Sequence, residues 1–309
     1  MIGAFRFAWR VQRAEIVFVA LVCVAVAAAA AWLAIDMRSI LAQCGAVTTG
    51  ACDVEHAYAT GGPVALVRTV APVVPFAIGL VLGAPIVSRE VEHRTAQMAW
   101  SMSGSRLRWL AWRLPPVAAI GLALVALPAL ALDDMVRVSF GQGETGFADY
   151  EIRGVPVITR AALAIAMGVG IGAILGRLLP ALLVGIGLSV AVSLILTAAM
   201  PSWLSPAELP GYASVGSRGA IVTDITYRLP DGTPIGNEEG EEMHMEAYQA
   251  AFAAGEEEPD PATLPQMVGH GIAADRYPEV LVRESAVLGG AALVAAVLAG
   301  ITVQRRRSA

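Results

Sequence analysis

The densest grouping of chemically capable side chains is Arg89-Glu90-Val91-Glu92-His93-Arg94-Thr95, set between two long apolar runs. Its chemistry is ion pairing and hydrogen bonding, not bond making. A phosphate-cradling Walker A loop needs a lysine on the β- and γ-phosphates, and the 309 residues contain no lysine. That absence also excludes lysine Schiff-base chemistry. Neither HExxH nor GxSxG occurs, and His93 follows Glu92 in a different pattern. Met243-His244-Met245, with His56 and His270, offers soft and borderline metal ligands, but the spacing fits no defined metal motif. The reading is no catalytic group and no metal site, with these residues on a surface helix.

The elements around the charged stretch are membrane spans. Hydrophobic residues make up 56% of the chain, too many for a soluble domain. Six apolar runs stand out: Ile16–Ile35, Thr69–Val87, Leu114–Leu132, Ala161–Gly176, Leu178–Met200 and Ser285–Gln304. None contains an ionisable Asp, Glu, His, Arg or Lys. The fourth is short and is expected to borrow residues from Val155 onward, with Arg160 snorkelling outward. Backbone groups in lipid must pair internally, so runs of this length are helices. Charge-free spans argue against a proton-coupled carrier, so uphill movement of a solute would draw its energy from another subunit.

All 21 basic residues are arginine. Arg6, Arg10 and Arg13 precede the first span; Arg89, Arg94, Arg106, Arg108 and Arg113 lie between the second and third. Arg177 joins the fourth to the fifth, and Arg305, Arg306 and Arg307 follow the sixth. These short segments hold few acids (Glu15, Glu90, Glu92), and the longer connections hold the rest. The positive-inside rule therefore predicts cytoplasmic termini in a multi-pass protein of the cell membrane. The first span exceeds a usual signal-peptide core and is expected to be retained.

Residues 1–14 read as an inner interfacial helix, with Arg6, Arg10 and Arg13 on one stripe beside Phe5, Phe7 and Trp9. A plain topogenic tail fits the same residues. Cys44 and Cys52 share the first outer loop, where an oxidising compartment favours a disulfide; Cys23 lies within span one. In the third outer connection, Ile221–Ile235 alternates β-branched and polar residues about Pro230-Asp231-Gly232 and predicts a hairpin. Glu238–Phe252 predicts a short acidic helix, and Glu256–Pro261 a breaker. Gly168, Gly172 and Gly176 recur every fourth residue, forming a flat helix face suited to close packing.

Within the charged loop, Glu90 and Arg94 stand four apart, in the order that supports a helix, and Ser103-Gly104-Ser105 breaks it. A solvated connector with topogenic arginines has the same composition. The loop resembles the corresponding segment of ABC-2 type permeases of high-GC bacteria, the membrane subunits of ABC exporters. The resemblance rests on Gly83-Ala84-Pro85, Arg89-Glu90, Glu92, Thr95, Ala99-Trp100 and Arg106 to Trp109. It extends to the Gly168–Arg177 segment with Pro180-Ala181, and to Glu284 with the terminal arginines. Residues 201–282 are only loosely similar.

The expected fold is an all-α polytopic membrane protein, with six transmembrane helices and a small α+β outer cap between helices 5 and 6. Its parts are residues 1–14, the interfacial helix; 15–200, helices 1–5 with a coupling helix at 88–100; 201–284, the extracytoplasmic cap; and 285–309, helix 6 with a cytoplasmic tail. The resemblance implies a permease half that pairs with a second permease, binds a cytoplasmic ABC ATPase through Arg89, Glu90, Glu92, Arg94 and Thr95, and exports an amphipathic antibiotic, peptide or lipid. It implies no cofactor in this chain, with ATP and Mg on the ATPase; the partners are protein and membrane lipid, not nucleic acid. The alternative is a non-transporting membrane sensor or immunity protein with an acidic outer ligand-binding domain. A membrane-embedded enzyme is disfavoured by the missing catalytic constellations.

Overall fold

The computed structural model describes residues 2–44, 62–139, 146–199, 202, 204–209, 219–255, 259–260 and 264–306. The chain divides into two compact units. The first comprises Met1–Gln142, Asp149–Thr197 and Leu281–Ala309; the second comprises Gly143–Ala148 and Ala198–Val280.

Unit one is helical. Helix α1 (Ile2–Cys44) bends at Gln12, whose backbone is non-helical (φ −121°, ψ 26°). A short α2 (Gly62–Val70) precedes α3 (Val74–Gly83) and α4 (Pro85–Glu92), where Pro72, Pro75 and Pro85 sit at the helix breaks and starts. Then come α5 (Ala96–Met102) and α6 (Arg106–Ser139), which keeps its helix through Pro115, Pro116 and Pro128. A 3₁₀ turn (Tyr150–Ile152) leads to α7 (Gly154–Leu175), followed by α8 (Leu178–Ala199). Gly176 (φ 65°) ends α7 in the left-handed conformation that glycine adopts without strain. Six helices are long and apolar enough to cross a membrane among the described residues.

The α3–α4 segment and α7 form the centre of this unit. Along their most apolar stretches 67% and 61% of residues are buried, against 17% on α8, which therefore shows most of its apolar surface to its surroundings. Small residues let the central pair touch backbone to backbone. A Cβ added at Gly168 would lie 2.9 Å from the Ala84 nitrogen, and one at Gly172 would lie 2.6 Å from the Ala84 carbonyl oxygen. Gly79 meets Ala164 in the same way, at 2.5 Å. Gly176 belongs to the turn, where its neighbours are Val91 and Arg306.

Unit two holds a four-stranded antiparallel sheet of order β1-β4-β2-β3. The strands are β1 (Ala207–Glu208), β2 (Ile221–Arg228), β3 (Pro234–Ile235) and β4 (Gln266–Ile272). β2 and β3 form the Pro230-Asp231-Gly232 hairpin, pairing Arg228 with Pro234 and Tyr227 with Ile235. The Asp231 carboxylate accepts the Thr233 N–H (2.9 Å), and that bond holds its pKa below the ordinary value. Helix α9 (Asn237–Ala254) follows, its Gly240 lying against the Tyr227 ring, and Gly255 (φ 79°) closes it. The chain re-enters unit one along α10 (Tyr277–Arg305).

One expectation fails inside the helices. Arg160 does not snorkel outward; its side chain is 2% exposed and paired with Glu284 of α10, which is equally buried. The guanidinium donates to Glu284 Oε1 through Nε (3.2 Å) and Nη2 (2.6 Å), and to the Glu151 carbonyl through Nη1 (2.8 Å). Tyr150 lies beneath it, 5.7 Å from the guanidinium carbon to the ring centroid. Burial, with the Glu284 charge, pushes the Tyr150 phenol up to about 12. The helices thus extend beyond the apolar runs and take in an ion pair whose two charges neutralise each other.

Candidate functional site

The charged loop folds as two helices, α4 and α5, joined by a turn at residues 93–95. The expected single helix fails there because Arg94 adopts a left-handed backbone (φ 59°), costly for any residue with a Cβ. The helical spacing between Glu90 and Arg94 is lost, and Glu90 finds other partners. Its Oε1 accepts from Arg113 Nη1 of α6 (2.7 Å). Its Oε2 accepts the Thr95 hydroxyl (2.5 Å), and its carbonyl accepts the Thr95 N–H (2.9 Å), which closes the turn.

The neighbouring charges reach other helices. Arg89 pairs with Glu15 of α1 at 2.5 Å. Glu92 Oε2 accepts the backbone N–H of Leu178, at the first residue of α8 (3.0 Å), where a carboxylate suits the helix N-terminus. Residues 89, 90 and 92 therefore tie the loop to α1, α6 and α8. The C-terminal end of α10 joins the same layer: Arg106 donates to the Gln304 carbonyl (3.1 Å) and to that of Arg306, and Arg306 donates to the Ala173 carbonyl of α7.

Aromatic rings support these bonds. Arg113 lies over Trp109 (4.8 Å) and near Phe7 (5.6 Å), and Arg106 lies over Trp100 (4.5 Å). Trp100 and Trp109 meet edge to face, their centroids 6.3 Å apart. Ser105 accepts the Arg108 N–H (3.1 Å) and caps α6. A groove of about 360 Å³ runs beside the turn, with Glu90, Trp109 and Arg113 among its lining and Phe7, Met98 and Met102 exposed around it. Glu92, His93, Arg94, Thr95, Gln97, Met98, Ser101 and Met102 are exposed on the loop.

The structure thus separates the five loop residues. Arg89, Glu90 and Glu92 are braces whose carboxylates or guanidinium reach neighbouring helices, Thr95 closes the turn, and Arg94 alone of the five has a left-handed backbone. Glu15 and Arg113, their partners, carried no signal beyond being charges at the ends of apolar runs. The pairing of Arg160 with Glu284 was also missed; opposite charges inside or bordering spans are the signal that finds such pairs. Cys52 and the side chain of Cys44 lie outside the described residues, as does His56. Among the described residues no three His, Cys, Asp or Glu side chains are grouped to hold a metal. His244 packs between Tyr227 (6.0 Å) and Tyr248 (5.6 Å), and His270 Nε2 lies 2.9 Å from the Thr226 hydroxyl.

Six helices of spanning length among the described residues, two of them close-packed at the centre, with a braced polar loop, define a multi-pass membrane protein. The sequence profile of the family described as ABC-2 membrane transporter related matches residues 18–200, more than half of the chain, and the chain belongs to that family. It is a membrane transport component of the permease kind rather than an enzyme. No curated protein and no solved structure matches it.

Proposed function

We propose that this chain is the membrane half of an ATP-driven exporter. Two halves pair, a separate cytoplasmic ATPase binds the exposed face of the α4–α5 loop, and an amphipathic antibiotic, peptide or lipid moves outward by alternating access. ATP and Mg belong to the ATPase. Both termini and the α4–α5 loop face the cytoplasm, and the second unit is extracytoplasmic. The observation that carries this reading is the bracing of the loop. A contact at Arg94 or Met98 acts on a segment tied to α1, α6 and α8 by Arg89, Glu90 and Glu92. A loop so tied transmits a push as a shift of several helices, the kind of two-state movement that nucleotide binding biases.

The test is purification of the full chain from its native membrane, with Arg94→Glu in parallel. The wild type is expected to bring down a P-loop ATPase, and Arg94→Glu to lose it while melting at an unchanged temperature. Absence of an ATPase from the wild-type preparation refutes the reading and favours the sensor alternative.

A further inference from the structure

We infer that the first turns of α1 form a selective binding surface for anionic phospholipid headgroups. The observation is independent of the export reading. Arg6 and Arg10 stand one helical turn apart, and Arg13 follows just past the bend at Gln12. All three are exposed, while Ala8, Gln12 and Glu15 are buried on the other side of the helix. The acid nearest in sequence, Glu15, is committed to Arg89. Among the described residues, none of the three arginines has an ion pair with a carboxylate.

Three uncompensated guanidiniums on one stripe call for an anion. The neighbouring side chains say which kind. Phe5, Trp9 and Val11 are 42%, 49% and 37% exposed, an apolar border that is costly in water and suited to the boundary between headgroups and acyl chains. The stripe occupies the first turns of a helical stretch long enough to overshoot a bilayer, Phe5–Ile40, which places it at a membrane edge. Arginine is the fitting residue, because its planar fork donates two parallel hydrogen bonds to a phosphate. The charge complement is a phosphodiester with no balancing amine, as in phosphatidylglycerol.

The segment also touches the braced loop. Phe7 lies against Arg113, and Glu15 holds Arg89. Lipid bound at the stripe therefore fixes a helix that contacts Arg89 and Arg113, the partner of Glu90, and it should steady the loop as well as the helix.

The experiment uses the full chain purified in detergent, with short-chain phosphatidylglycerol, short-chain phosphatidylcholine and soluble glycerophosphate as probes. Binding is read by native mass spectrometry and by thermal unfolding. At about fivefold in affinity per arginine near a charged surface, the wild type should prefer phosphatidylglycerol over phosphatidylcholine by well over tenfold. The triple variant Arg6→Gln/Arg10→Gln/Arg13→Gln should lose that preference. The triple lysine variant should keep most of it, which guards against a folding artefact in the glutamine set. Equal binding of the two lipids by the wild type, or unchanged preference in a glutamine variant that melts normally, overturns the inference. Glycerophosphate binding as tightly as phosphatidylglycerol also overturns it, by assigning the stripe to a soluble phosphate.

Discussion

Neutralising Glu90 should loosen the loop by an amount that depends on Arg113 being present. The two side chains are 20% and 8% exposed and meet at 2.7 Å. Glu90→Gln keeps an oxygen that can accept the Thr95 hydroxyl, but it removes the counter-charge and leaves Arg113 between Trp109 and Phe7. A hydrogen bond to a charged group contributes about 1.5–3 kcal/mol, and stranding a fully buried partner costs about 3–5 kcal/mol. The partial exposure of Glu90 screens the loss, so about 2–3 kcal/mol is expected. Arg113→Met should cost less, because its aliphatic replacement still packs on the rings and Glu90 keeps Thr95. The double variant should resemble the worse single one, with a coupling energy of at least about 1 kcal/mol. The assay is reversible unfolding in mixed micelles by detergent titration, completed as a double-mutant cycle. Additive single effects, with coupling below about 0.5 kcal/mol, would show that the pair does not brace the loop.

Four further outcomes follow from other contacts. Arg94→Gly should relieve a left-handed backbone and raise stability by about 1 kcal/mol, while weakening ATPase co-purification; a fall in melting temperature would contradict the strain. Gly172→Leu places a side chain where the Ala84 carbonyl stands and should cost about 3 kcal/mol or more; wild-type melting in detergent would mean that this face does not pack there. Glu284→Gln strands the Arg160 charge and should cost about 3–5 kcal/mol, whereas the apolar pair Arg160→Met/Glu284→Leu should recover part of the loss; no recovery in a melting series would refute the pairing. The lowered pKa of Asp231 means that the folded hairpin binds the proton less tightly than the unfolded chain. Its contribution is present above the ordinary carboxylate range and is lost as pH falls from that range through the lowered folded value, so amide exchange at Thr233 should quicken in acid; exchange unchanged by Asp231→Ala would remove the bond from the account.

Apolar runs placed the membrane helices well because burial in lipid rewards composition directly. Their ends were less legible, since α6 and α10 continue through Arg113 and Glu284 once a partner helix neutralises the charge. The hairpin was readable from alternation and Pro230-Asp231-Gly232, but its larger pairing was not. β4 reads Gln266-Met267-Val268-Gly269-His270-Gly271-Ile272, and its two glycines blur any strand signal. The loop charges were visible as a group, yet their roles depended on partners such as Glu15, Arg113 and Leu178, far away in the chain. Local spacing favoured Glu90 with Arg94. The tertiary partner Arg113 prevailed because the turn at residues 93–95 carries Arg94 away.

The ion pair between α7 and α10 also constrains the order in which this protein can be made. Arg160 emerges from the ribosome 124 residues before the carboxylate that neutralises it. Until Glu284 is synthesised, α7 holds an arginine that costs about 2.5–3.5 kcal/mol at the centre of an inserted helix, and less toward its end. The nascent fourth span is therefore poorly suited to release into lipid on its own. It gains its full membrane stability only when the sixth arrives, after the whole second unit has been translated. A chain stopped before Glu284 would carry five apolar helices and an Arg160 without its counter-charge.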